Sequence, residues 1–176
     1  MKNRHQQGFA IIDLVFVCGL IGILASIAMP RMLLAKQSAG AASAIGSLRA
    51  INSAQLSFAF TCGAGFYAPS LTILGTPSAG GREAFISPSM SMANTITRSG
   101  YVVQLEGTPF PGAPPSCNGL GVGEAAQGFK AAADPVEAGN VRFFATNANI
   151  TIIEDTASLW AAMPEGGDAP SGHPLR

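Results

Sequence analysis

The sequence predicts an α+β fold, in which one long N-terminal helix packs against a small antiparallel β-sheet. Three observations lead to this fold class. An apolar run occupies Phe9–Met29, apolar residues then recur at gaps of three or four between Ala41 and Ile51, and short β-prone segments separated by turn formers fill the second half of the chain. The first two patterns indicate a helix, and the third indicates a sheet whose apolar face the helix can cover.

The apolar run Phe9–Met29 is long enough to cross a bilayer, because about 20 helical residues span about 30 Å of hydrocarbon. Asp13 is its only charged residue. Lys2 and Arg4 precede the run, and by the positive-inside tendency they predict a cytoplasmic N-terminus and an extracytoplasmic head. A secretory signal cleaved near Ala28 is the alternative, but the apolar core of such a signal ordinarily has only about 7–15 residues.

The helix is predicted to continue beyond the apolar run, through Arg31–Phe60. Apolar residues at helical spacing mark one face of this segment: Ala41, Ala44, Ile45, Leu48 and Ile51. Pro30 separates the two parts, and proline inside a helix removes a backbone hydrogen bond and crowds the preceding turn. We therefore predict one helix from Phe9 to about Phe60 with a kink at Pro30.

The sheet is predicted to have three or four strands, drawn from segments rich in β-branched and aromatic residues: Tyr101–Glu106, Gly128–Ala133, Val141–Thr146 and Ile150–Glu154. Asn147–Asn149 supplies turn-tolerant residues between the last two segments, which indicates a hairpin. Loops are expected over Thr61–Gly81 and Gly107–Gly123, where glycine and proline are frequent. A short helix is expected over Met90–Thr95, and the tail Pro164–Arg176 is expected to be loose.

The three cysteines divide between the two parts of the chain. Cys18 lies in the apolar run and is expected to be a small apolar filler. Cys62 and Cys117 fall in the predicted extracytoplasmic head, where disulfides persist, so they are the sensible intrachain pair. Two free buried thiols are the alternative.

Composition and motifs favour a structural role over an enzymatic one. The formal net charge is +0 and only 11% of residues are charged, so nothing predicts binding to nucleic acid. The two histidines, His5 and His173, lie in the leader and the tail, and no combination of histidine with cysteine or acids has the spacing of a metal or catalytic site. We predict no catalytic, cofactor-binding or metal-binding residues.

The N-terminal residues resemble those of a type IV pilin or type II secretion pseudopilin precursor. A short basic leader ends at Gly8, Phe9 opens the apolar segment, Asp13 follows four residues later, and Pro30 stands just beyond the end of the apolar run. The resemblance is detailed over residues 2–30 and weaker along the following helix. It implies a pilin-like fold, in which the first half of the helix spans the membrane and the second half carries the β-sheet head.

The resemblance also implies processing and assembly. A prepilin peptidase would cut the Gly8–Phe9 bond on the cytoplasmic side, and the new amine of Phe9 would be N-methylated. Asp13 would then pair with the N-terminal amine of a neighbouring copy as the helices bundle into a filament on an inner-membrane assembly platform. The family usually has glutamate at this position. Two alternatives remain open for Asp13: it reaches the membrane interface, or it contacts Phe9 of its own chain, four residues away on one helical face.

This reading divides the chain into five parts: a leader over 1–8, a transmembrane and assembly half of the helix over 9–29, its second half over 30–60, an extracytoplasmic head over 61–163, and a tail over 164–176. The implied location is the inner membrane, with a single pass and a periplasmic head, followed by a pilus (fimbrial) filament or a pseudopilus of type II protein secretion. A minor or priming subunit and a monomeric membrane-anchored binding module are the alternatives.

Overall fold

The computed structural model describes residues 11–175. Within this range it has three helices, α1 (Ile11–Thr61), α2 (Leu71–Leu74) and α3 (Pro88–Ser91), and six strands, β1 (Thr95–Arg98), β2 (Tyr101–Glu106), β3 (Lys130–Pro135), β4 (Phe143–Asn147), β5 (Ile153–Asp155) and β6 (His173–Pro174). The chain divides into two compact units, the first ending at Ser38 and the second beginning at Ala39. The predicted α+β class is therefore observed: a long apolar N-terminal helix and a small antiparallel sheet.

The first unit, as far as it is described, is helical throughout. Every Val, Ile, Leu, Phe and Met side chain from Ile11 to Leu34 is exposed to solvent. Pro30 lies inside α1, and the helix continues through it. A kink at this proline stays a prediction.

In the second unit the strands follow one another across the sheet in chain order, β1 to β6, and each pairs antiparallel with the next. Short connections suit this meander, because antiparallel neighbours need only a tight turn between them. The sheet has six strands within the described residues, not the expected three or four, because β1 and β6 were not predicted.

One face of α1 covers one face of the sheet. The helix contributes a row of buried side chains at helical spacing: Ala41, Ala44, Leu48, Ile51 and Phe58. These residues pack in one core with Val103 on β2, Ala133 on β3 and Phe144 on β4. The predicted helical face is thereby confirmed, with Ile45 packed at its margin. A smaller cluster, built around Leu159 and Met163, covers the opposite face of β3, β4 and β5.

Two buried amides fix the helix to the rest of the second unit. Gln55 is fully buried, and its side chain bonds both backbone groups of Ala68: Nε2 donates to the carbonyl at 2.8 Å, and Oε1 accepts from N–H at 2.9 Å. One turn earlier, Asn52 Nδ2 donates to Thr146 Oγ1 on β4 at 3.0 Å and to the Ile150 carbonyl at 3.1 Å. Because buried polar groups are costly without partners, these bonds define how the helix meets the sheet.

The strand β1 is a correction to the sequence analysis, which placed a helix over Met90–Thr95. The helix α3 ends at Ser91, and a hairpin begins at Thr95. Its turn is formed by Ser99 (φ 50°) and Gly100 (φ 80°), and two successive positive φ angles are the mark of the two-residue turn that matches strand twist. Gly40 on α1 allows this turn to approach, since a Cβ there would lie 2.8 Å from the Ser99 carbonyl oxygen.

The expectation of a loose tail is wrong. Residues 164–175, which we call the strap, run back along the edge of the sheet. The Pro164 carbonyl accepts from Asn147 Nδ2 at 3.1 Å, and the strap ends in β6, which pairs with β5. Leu175 N then donates to the Ile152 carbonyl at 2.9 Å. Pro164–Arg176 has few apolar residues, so no local periodicity signalled that its backbone would complete the sheet.

Other elements also differ from the predictions, including β4, which runs over Phe143–Asn147 where Val141–Thr146 was expected. Strand β3 begins at Lys130 because Phe129 N donates instead to the Glu165 carbonyl, at 3.2 Å. Strand β5 begins only at Ile153, since Ile150 adopts φ 65° and the preceding residues leave the ladder. The expected loop Thr61–Gly81 contains α2, whose N-terminus is capped by Ser70. The change at β3 comes from a contact distant in sequence, the change at β5 from a local backbone conformation, and the change at α2 from a capping residue.

Candidate assembly surface

The apolar half of α1, from Ile11 to Leu34, carries most of the exposed large apolar side chains of the described chain. Its side chains are apolar around the whole circumference, with exposed fractions such as 81% at Ile11 and 73% at Met32. A helix that is apolar on all sides is ordinarily buried in lipid or among other helices. Among residues 11–175, α1 is the one helix long and apolar enough to cross a membrane, a property that membrane anchors and signal sequences share.

Asp13 interrupts this surface in the first described turn of α1. It is exposed, and it has no hydrogen-bond or ion-pair partner among residues 11–175. A carboxylate in an apolar setting costs several kcal/mol unless it is paired, so its partner is expected from outside the described chain. Gly8 and Phe9, the predicted processing and N-methylation residues, lie outside the described residues. Cys18, on the same half-helix, is an exposed free thiol.

Cys62 and Cys117 form a disulfide, with a Cα–Cα distance of 4.8 Å. It joins the residue just after α1 to the proline- and glycine-rich insert Gly107–Gly123. The Cys117 N–H donates to the Cys62 carbonyl at 3.2 Å, so backbone pairing accompanies the bridge. This is the pair that the sequence analysis favoured over two free thiols.

A cavity of about 280 Å³ lies between the strap and the β4–β5 hairpin. We call it the strap pocket. Its lining includes both polar and apolar residues: Asn147, Asn149, Asp168, Ile153, Met163 and Pro174. Because the strap was expected to be loose, neither the pocket nor Asp168 was predicted from the sequence.

Most side-chain donors of the strap pocket are used within the chain itself. Asn147 Nδ2 donates to the carbonyls of Pro164 and Gly167, at 3.1 and 2.9 Å. Asn149 Nδ2 also donates to the Gly167 carbonyl, at 2.8 Å, and the Ser171 hydroxyl donates to Asp155. Asp168, in contrast, is exposed and has no hydrogen-bond or ion-pair partner within residues 11–175. The pocket therefore offers a ligand both an acceptor, the Asp168 carboxylate, and a donor, the second N–H of Asn149.

Charge is distributed unevenly across the sheet. Residues 84–105, which include β1 and most of β2, contain a single charged side chain, Arg98. Residues 143–175, which include β4, β5 and β6, contain four acids and no lysine or arginine: Glu154, Asp155, Glu165 and Asp168. Arg98 is thus the one charged side chain of β1, and among the four acids Glu154 is paired with Arg142.

Several ionisable groups in and beside the sheet have pKa values displaced by their surroundings, among them Glu154, Tyr101 and Asp134. The Arg142 guanidinium contacts both oxygens of Glu154, at 2.5 and 3.1 Å, and these hydrogen bonds hold the pKa of that carboxyl below its usual value. Burial raises the pKa of Tyr101, whose hydroxyl accepts from Asn140. Burial also raises the pKa of Asp134, which accepts from Ser158 through Oδ2 while its buried Oδ1 has no partner. Within residues 11–175, no group of three or more His, Cys, Asp or Glu side chains is placed to hold a metal ion.

Comparison of the chain with protein-family models, with curated proteins and with solved structures gave no match.

Proposed function

We propose that this chain is a structural subunit of a type IV pilus or type II secretion pseudopilus. One observation carries the proposal: a single helix has one half that is apolar and exposed on all sides and another half that forms the core of an α+β head. Such a chain needs an apolar environment for the first half, and copies of the same half-helix can supply it. The resemblance to pilin precursors at Gly8, Phe9 and Asp13 indicates that this environment is a bundle of helices within a filament.

In this proposal the precursor is inserted in the inner membrane with its leader in the cytoplasm and its head in the periplasm. A prepilin peptidase cuts after Gly8 and the amine of Phe9 is methylated. Asp13 then pairs with the N-terminal ammonium of a neighbouring copy. Either charge alone is expensive in a medium of low dielectric constant, and an opposed pair offsets much of that cost. Asp13 is exposed and has no partner among residues 11–175, which supports this role.

The experiment that tests the proposal is N-terminal sequencing and mass measurement of the mature protein from its native host. We expect a chain that begins with N-methylated Phe9. An intact Met1 would favour the monomeric membrane-anchored module, and a chain beginning near Met29 would indicate a cleaved secretory signal. Either of these two results would contradict the proposal.

Two variants separate processing from assembly. We expect Gly8→Ala to leave the uncut precursor in the membrane, because the peptidase would require glycine at the cleavage junction. We expect Asp13→Ala to be processed normally and to yield few filaments. Filaments of Asp13→Ala as abundant as those of the parent would show that charge pairing is dispensable.

A further inference from the structure

We propose that one end of the head lies in the lipid headgroup layer of the membrane into which α1 is inserted. This end, which we call the near end, consists of the β1–β2 turn (residues 98–100) and the β3–β4 loop (residues 136–142). The inference rests on the membrane insertion in the proposed function. It adds a second membrane contact, which the head makes before the subunit enters a filament.

The turn and the loop of the near end are bonded to each other and to the first turns of the helix in the second unit. Val136 N donates to the Gly100 carbonyl at 2.9 Å. On the other side of the turn, Ser43 Oγ donates to Ser99 Oγ at 2.9 Å, and a Cβ at Gly40 would lie 2.8 Å from the Ser99 carbonyl oxygen. The near end is therefore attached to α1 where the head begins.

The chain keeps this attachment close to the apolar segment. The large apolar side chains of the first unit are exposed up to Leu34, and Gly40 follows only six residues later. Six residues cover about 9 Å as a helix and at most about 20–22 Å when extended, so this limit holds at any angle between the two units. The headgroup layer on each side of the hydrocarbon is about 5–8 Å thick. A membrane that surrounds the apolar segment therefore has its surface close to the near end.

The exposed side chains of the near end suit a lipid surface. Val136 and Val141 stand near the two ends of the loop, with 57% and 61% of their surfaces exposed. Arg98 is exposed and has no acidic partner among residues 11–175, and a guanidinium binds phosphate through parallel hydrogen bonds. Glu137 lies on the same loop as the valines. Apolar groups with charges of both signs match a zwitterionic headgroup, which carries a phosphate and an ammonium.

Other carboxylates at this end of the sheet also favour a zwitterionic lipid over an anionic one. Asp134 accepts from Ser158 and Asp155 accepts from Ser171, so both are bonded within the head. They still carry negative charge, and a strongly anionic surface would repel them. Asp155 lies on β5, three strands from β2 and about 14 Å across the sheet from the turn, so its effect at the valines is small.

Val122 is the matched control at the far end of the head. It is 73% exposed, more than either valine of the near end. It lies in the insert Gly107–Gly123, which the disulfide joins to Cys62, just after the end of α1. From Gly40 to Thr61 the helix advances about 32 Å, so a head that meets the membrane at its near end keeps Val122 in water.

Quenching of fluorescence by labelled lipids tests this arrangement. The full-length protein with Cys18→Ala is reconstituted in vesicles of phosphatidylethanolamine and phosphatidylcholine, and an environment-sensitive dye is attached at Val136→Cys, Val141→Cys or Val122→Cys. The disulfide keeps the other two cysteines unreactive. With nitroxide-bearing headgroups, we expect quenching at both near-end sites to exceed that at Val122 by a factor of about three or more, because the headgroup layer is thin. Near-end quenching no greater than at Val122 would overturn the inference.

A second set of variants distinguishes lipid binding from simple tethering. With the dye at Ala138→Cys, an exposed position on the same loop, Val136→Asp combined with Val141→Asp should lower the quenching to the level measured at Val122. The aspartates replace apolar groups by charges that favour water. Val122→Asp should leave the quenching at residue 138 unchanged. If the double variant also left it unchanged, the head would only be tethered beside the membrane, and the inference would be overturned.

Alkaline extraction of the same vesicles reports on the membrane span independently. A protein that is extracted would contradict the membrane insertion in the proposed function. A protein that resists extraction while its near end stays in water would contradict this inference alone.

Discussion

The two halves of α1 share one backbone conformation and have opposite surroundings. In the first half the large apolar side chains are exposed, as at Ile21 with 59% of its surface accessible, whereas in the second half Ile51 is completely buried. The two halves differ in how their apolar residues are distributed around the helix. The first half is apolar on every side, and the second half is apolar on one face. A helix of the first kind needs partners all around it, and a helix of the second kind needs one sheet.

This comparison can be tested with pairs of identical residues, one from each region. Trp160, the only tryptophan of the chain, packs against the apolar cluster on the outer face of the sheet and reports on unfolding of the head. Denaturant titrations of the detergent-solubilised protein, followed by its fluorescence, yield the free energy of unfolding of the head. Variants in the head should lower that free energy, and matched variants in the first half of α1 should leave it unchanged.

The largest effect is expected from the cysteines. The Cys62–Cys117 disulfide closes a sequence separation of 55 residues, and chain entropy then predicts a stabilisation of about 4 kcal/mol. Replacement of both cysteines by alanine should lower the free energy of unfolding of the head by about this amount. Cys18→Ala should have no effect on it, since Cys18 is free and exposed. Equal stability of the double variant and the parent would show that the bridge contributes little.

The next effect is expected from the isoleucines. Ile51→Ala removes a fully buried side chain between helix and sheet, and such truncations cost about 2–5 kcal/mol because a cavity remains. Ile21→Ala should leave the free energy of unfolding of the head unchanged, although it removes apolar surface needed for helix bundling. If Ile21→Ala destabilised the head as much as Ile51→Ala, the two halves of α1 would not be energetically distinct.

A smaller effect is expected from the glutamines. Gln55→Ala leaves both backbone groups of Ala68 without their partners in a buried position, at a cost of about 1–3 kcal/mol. Gln37, in the first unit, has no such bond with any residue from 11 to 175, and Gln37→Ala is the control. An unchanged free energy of unfolding for Gln55→Ala would mean that water replaces the side chain at Ala68.

Much of the fold could be predicted from local patterns in the sequence. The apolar run, the three- and four-residue spacing from Ala41 to Ile51, and the strand at Tyr101–Glu106 depend on period and propensity, which neighbouring residues determine. The hairpin before Tyr101 was also within reach, because Ser99-Gly100 between two β-prone segments is a turn signal. The helix predicted over Met90–Thr95 is incompatible with this hairpin, because it overlaps the start of β1 at Thr95.

The strap and its pocket could not be predicted in the same way. The order of residues 164–175 depends on partners far away in sequence, such as Asn147 and Ile152, and its own glycines and prolines indicate only a turn-rich segment. The pocket itself forms where this segment lies beside the β4–β5 hairpin, and that pairing is visible only in three dimensions. Asp168 accordingly looked like an ordinary surface acid, whereas Asp13 could be singled out by its apolar neighbours alone.

The smallest effect is expected from the aspartates, and it depends on pH. Burial raises the pKa of Asp134 in the folded head above its value in the unfolded chain. The folded state therefore binds the proton more tightly, so the contribution of this group to stability is greatest below the unfolded pKa and is lost as the pH rises through the folded pKa. Asp134→Asn replaces the carboxylate, whose buried Oδ1 has no hydrogen-bond partner, with a neutral amide. Ser158 can still donate to the amide oxygen.

We therefore expect Asp134→Asn to raise the melting temperature of the head by about 1–3 °C at pH 7 and to have no effect near pH 3, where the parental carboxyl is already neutral. Asp13→Asn is the control, because Asp13 is exposed and lies in the first unit, outside the head. Thermal unfolding of both variants across this pH range checks the sign. A lower melting temperature for Asp134→Asn at pH 7 would mean that the ionised carboxylate stabilises the attachment of Ser158 to β3 by more than its burial costs, and the outer face of the sheet would then depend on that charge.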